Sequence, residues 1–107
     1  MVRIMALHRT PADPESYDDY YRRVHLPIAR RIPGVRQIRF GRVRKMNDGS
    51  QPPLHLVSEV YFDDMPSLEA ALESAEMAAA LADIPNFAAD GAITIMFCES
   101  EDVEVEG

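Results

Sequence analysis

The 107-residue chain has a formal charge of −7, with 47% hydrophobic and 27% charged residues, which bounds it to one domain of ordinary globular type. No apolar run approaches the roughly 20 residues of a membrane helix, and "MVRIMALHRT" is too short and weakly charged for a secretory leader. Net negative charge argues against nucleic acid as a partner, and a lone Cys98, unable to form an internal disulfide, fits the reducing cytoplasm.

Residues 2–8, "VRIMALH", form a β-rich run, the first strand. "TPADP" breaks it. Asp13 followed by Pro14 makes a good helix start, a capping carboxylate before a proline at the first helical position. Tyr17, Tyr20, Tyr21, Val24, Ile28 and Ile32 then recur at the spacing of one helical face, and "PG" at 33–34 stops the helix. Pro27 lies inside that run. It lacks an N–H and clashes with the preceding turn, so it should free a carbonyl near Arg23 and re-aim the turn that carries His25.

"VRQIRFGRVRK" (35–45) alternates as a second strand, and "MNDGSQPP" reads as a loop. "LHLVSEVYF" (54–62) is the clearest strand. Leu54, Leu56, Val60 and Phe62 share one face, and His55, Val57, Glu59 and Tyr61 the other. A second helix begins at "DDMP" with Leu68, Ala71, Leu72 and Ala75 on one side. Its phase then slips to Met77 and Leu81, which predicts a break and a further piece capped by Ser74. "IPNFAADG" is a loop and "AITIMFCE" (92–99) the last strand.

The order β-α-β-β-α-β specifies an α+β, ferredoxin-like fold with one antiparallel sheet backed by helices on one side. The first and last strands offer apolar residues to both faces: Val2, Ile4 and Ala6 against Met5 and Leu7, and Ile93, Ile95 and Phe97 against Met96 and Cys98. A wet apolar sheet of that size is rare in monomers, so a homodimer pairing two sheets is expected. Nine of the 11 basic residues lie between Arg22 and Lys45, a stretch without Asp or Glu. Its expected role is a solvated face pairing with Glu69, Glu73 and Glu76 or with another subunit; the functional alternative is a rim attracting a small anion.

Among the histidines, His25 is the candidate catalytic residue, because imidazole gives and takes protons near neutral pH. His55, Glu59 and Tyr61 would be polar groups converging on a cavity if their face lines it. Tyr21, four residues before His25, neighbours it on the helix, and Phe87 lids the cavity or pins its loop. His8 reads as an ordinary surface residue. No Gly-rich phosphate loop occurs, and the three histidines lack zinc-site spacing, so neither cofactor nor metal is expected.

Within "YYRRVHLPIARRIPGVRQIRF", the aromatic-aromatic-Arg, His-x-Pro and "RRIPG" pattern leading into a strand resembles the EthD-type proteins of the dimeric α+β barrel superfamily. So does "SEVYFDDMPSLEAALES" with "NFAADGAITIMFCE". The resemblance covers nearly all of residues 1–100, one EthD-like domain, and leaves 101–107 as an acidic tail. It implies a homodimeric α+β barrel enclosing a cavity for a small hydrophobic ligand, in relatives associated with breakdown of small organic compounds. The functional expectation is cofactor-independent acid/base catalysis on a small apolar oxygenated compound, of isomerase, dehydratase or oxygenase type. The alternative is a non-catalytic dimer that binds a hydrophobic metabolite or serves as an accessory protein.

Overall fold

The computed structural model describes all residues, 1–107. Four strands, β1 (Val2–Arg9), β2 (Gln37–Arg42), β3 (Leu54–Phe62) and β4 (Ile93–Glu99), form one antiparallel sheet in the order β2-β3-β1-β4. The central pair sets the faces. Val2, Ile4, Ala6 and His8 stand opposite Phe62, Val60, Ser58 and Leu56, and this face packs beneath the helices. The expected ferredoxin-like architecture is therefore the one observed.

Local chemistry positions the helices as the residues specify. Asp13 accepts from the Ser16 N–H and Pro14 opens α1 (Pro14–Tyr20). Asp64 accepts from the Ser67 N–H at the start of α3 (Met65–Leu72), and Ser74 accepts from the Met77 N–H at the start of α4 (Ala75–Asp83). The expected break between α3 and α4 is thus a second capped start. A 3₁₀ turn, Ile84–Asn86, leads into the loop before β4.

The first helix contains a finer departure. Between α1 and α2 (Leu26–Ala29), residues Tyr21–His25 form a π-helical turn in which the Leu26 N–H reaches the Tyr21 carbonyl. Pro27 follows directly and has no N–H to give the Arg23 carbonyl, so the ladder slips by one residue instead of running on. The slip rotates Tyr21 and His25 relative to α1. Gly34, at φ +82°, a conformation that side-chain-bearing residues rarely adopt, then turns the chain into β2.

The core gathers Val2, Ile4, Ala29, Ile32, Phe62, Leu68, Ala71, Met77 and Ala80 between sheet and helices. Phe62 is fully buried there, so Phe62→Ala should cost about 3–5 kcal/mol, read as a lower urea midpoint at unchanged slope. The basic stretch finds partners other than Glu69, Glu73 and Glu76. Arg36 pairs with Asp63 (2.8 Å), Arg42 with Asp18 (3.1 Å) and Arg23 with Asp19 one helical turn away (3.4 Å). Residues 101–107 lie outside the helices and strands and are exposed. No helix is long and apolar enough to cross a membrane.

Candidate active site

His25 stands at the end of the π-helical turn, and its Nδ1 lies 2.9 Å from Oδ2 of Asp83 at the end of α4. Asp83 is buried, which opposes its ionisation, but hydrogen bonds from Tyr20, Asn86 and His25, with the His25 charge, hold its pKa below the ordinary carboxylate value. Tyr20 Oη donates to Asp83 Oδ1 at 2.7 Å and Asn86 Nδ2 to the same oxygen at 3.1 Å. A carboxylate so held only accepts, so His25 Nδ1 must carry the proton it donates. Nε2 has no protein hydrogen-bond partner, which in the neutral ring makes it the free base.

His8 is the correction that changes the site most. It is 2% exposed rather than on the surface, because alternation along β1 turns it inward with Val2, Ile4 and Ala6. Its Nδ1 lies 2.6 Å from Tyr17 Oη and its Nε2 2.8 Å from Ser58 Oγ, which is 2.7 Å from Tyr21 Oη. Burial first, then the His25 and His55 charges, lower the His8 pKa to about 4, so the ring is neutral near pH 7. Burial likewise raises the pKa values of Tyr17 and Tyr21.

A cavity of about 80 Å³ lies between sheet and helices, with fourteen of its seventeen lining residues hydrophobic. The three others are His8, His25 and Ser58, and Tyr21 also lines it. Its wall includes the exposed Leu81 and Ile95, an apolar mouth beside the edge strand β4. A few convergent polar groups in an apolar enclosure is the usual composition of a ligand site.

The EthD domain model matches residues 9–91, which include His25, His55 and Asp83. The chain belongs to the EthD family. This EthD chain is 32% identical over 103 residues to the uncharacterized 11.0 kDa protein in the thcB-thcC intergenic region of Rhodococcus erythropolis, covering 96% of the chain and 98% of that protein. The crystal structure of an EthD family protein from Bacillus halodurans is 33% identical with a TM-score of 0.88, over 94% of this chain and 99% of that one. SnoaB, a cofactor-independent oxygenase from Streptomyces nogalater, shares the fold at 14% identity and a TM-score of 0.66, over 98% and 97% of the two chains.

The EthD fold brings some sequence candidates together and separates others. Tyr21 and His25 stack with ring centroids 5.6 Å apart. Phe87 lies against His25 (4.9 Å), Tyr17 (5.2 Å) and Tyr20 (5.3 Å) and does not line the apolar cavity. Glu59 and Tyr61 are elsewhere. On the face away from the helices, Tyr61 Oη donates to Glu59 at 2.7 Å and Arg3 lies 3.2 Å from the same carboxylate.

His55 departs from that face, contrary to its place in the alternation. The β1–β3 register pairs His8 with Leu56 and Arg9 with Leu54, leaving His55 as the extra residue of a bulge. Its Nε2 reaches Asp18 Oδ1 on α1 at 2.7 Å, and its ring meets Tyr17 edge-on at 6.0 Å. It borders a broad solvent-open recess with Arg22, Arg42 and Arg44 rather than the apolar cavity. No three of the His, Cys, Asp and Glu side chains converge as a metal site requires.

Proposed function

We propose that this EthD protein is a cofactor-independent proton-transfer catalyst acting on a small, largely apolar, oxygenated compound in the cavity. One observation carries the reading: a histidine with Nδ1 committed to a buried carboxylate sits in the wall of an apolar enclosure. Asp83 orients the ring and selects the tautomer; Nε2 takes a proton from a carbon acidified by the compound's oxygen and returns it at the same or a neighbouring position. The mostly apolar lining strengthens each such interaction. The volume, well below the ~300–1,000 Å³ of drug-sized pockets, favours compounds of few heavy atoms.

The experiment is deuterium exchange at the α-carbons of cyclopentanone and γ-butyrolactone in D₂O, followed by NMR. Acceleration over buffer by the wild type, lost in His25→Ala, is the expected result. Ligand-dependent thermal stabilisation without exchange would replace this reading with the non-catalytic binding protein.

The protein also acts, in this proposal, as a homodimer. Met5, Leu7, Val57 and Met96 form an apolar strip on the outer sheet face, with Met96 40% exposed, beside the Arg3–Glu59 pair. A strip carrying both signs of charge suits a self-complementary two-fold contact. Light scattering at micromolar concentration should give twice the 12.0 kDa chain mass, and a monomeric mass overturns the dimer.

A further inference from the structure

Tyr17, His8, Ser58 and Tyr21 are joined by three contacts of 2.6–2.8 Å. The neutral network holds four protons, one on each hydroxyl and one on the imidazole, and no further acceptor lies within hydrogen-bond reach of these groups. Three contacts consume three protons. One donor is left over.

Chemistry decides where it sits. A phenol is the better donor and an imidazole nitrogen the better acceptor, so the 2.6 Å contact is Tyr17 Oη–H donating to His8 Nδ1. His8 then carries its proton on Nε2 and donates to Ser58 Oγ. Whichever way the Ser58–Tyr21 contact runs, the unused O–H belongs to Ser58 or Tyr21, and both line the cavity. A buried donor without an acceptor is costly, so the enclosure is built for an occupant that accepts.

We propose that Ser58 and Tyr21, oriented by His8 and Tyr17, form an oxygen-binding subsite, and that the ligand is a carbonyl compound whose oxygen accepts this surplus hydrogen bond. The inference rests on the cavity being the ligand site. It gives the proton transfer its second half. As His25 Nε2 takes the α-proton, the C–H electron pair becomes the C=C bond of the enolate and the carbonyl π pair moves onto oxygen. The Ser58 or Tyr21 O–H stabilises that oxygen. Returning the proton from His25 to carbon restores both catalyst and charge, with no oxidant or reductant required.

Two measurements test it independently of turnover. Long-range ¹H–¹⁵N spectra of the unliganded protein should show His8 as the Nε2–H tautomer; an Nδ1–H tautomer moves the surplus donor to Tyr17 and overturns the proposal. Binding of [1-¹³C]cyclopentanone should then be about tenfold tighter than that of methylenecyclopentane, which has the same shape without the oxygen, with the carbonyl resonance shifted downfield on binding. Ser58→Ala combined with Tyr21→Phe should erase both the preference and the shift. Equal affinity for the two probes, or binding of neither, overturns the subsite. His25→Ala should retain the preference while losing α-proton exchange, so failure of the base and failure of the oxygen site give different results.

Discussion

His25→Ala is expected to slow α-proton exchange by about 10²–10⁴-fold, the usual contribution of a positioned general base. Asp83→Asn should approach the same loss for a different reason. The amide is the size of the carboxylate, so Tyr20 and the rest of the cluster lose little packing. Its N–H, however, faces His25 Nδ1 and holds that nitrogen as an acceptor, driving the ring proton onto Nε2 and removing the base. A Tyr20→Phe variant removes only one of the donors to Asp83 and should fall between wild type and Asp83→Asn. Comparable rates in wild type and Asp83→Asn would assign the His25–Asp83 pair to helix packing alone.

Acid should destabilise the protein in a window belonging to His8. Its folded pKa lies near 4 against an unfolded value of 6.5, so between these limits the unfolded chain binds the proton the folded chain refuses. Stability is complete above about pH 6.5 and is lost as pH falls toward 4, by about 3 kcal/mol in all, an order-of-magnitude figure at a site only 2% exposed. Asp83, whose folded pKa is depressed, adds a loss of the same sign at still lower pH. His8→Gln keeps a donor and an acceptor but no titration, so urea midpoints measured from pH 7 to pH 4 should decline much less. An equally steep decline in that variant would place the acid sensitivity elsewhere.

The elements and their boundaries were legible wherever a local rule operates. Asp13 with Pro14, and Ser74, mark helix starts through side-chain oxygens that bond the first free N–H groups, and the alternation of "LHLVSEVYF" selects the buried face of β3. Pro27 announced the disturbance near His25, since a missing N–H must release a carbonyl wherever the helix packs. His8 was legible on the same terms, at the parity of Val2, Ile4 and Ala6; its position near the end of β1 concealed that Tyr17 and Tyr21 cover it.

By itself, then, the sequence determined the order of elements, the two capped helix starts and the helix interruption beneath His25, because neighbours a few residues apart decide those features. Only the tertiary structure decided which polar groups share a cavity. His25 meets Asp83 across 58 positions and His8 meets Ser58 across 50, pairings that depend on how α4 packs against α2 and on the β1–β3 register. The same register places a bulge at His55 and swings it to Asp18, away from Glu59 and Tyr61. A single extra residue in a ladder reverses the face of a side chain, and no periodicity within one strand records its partner's count.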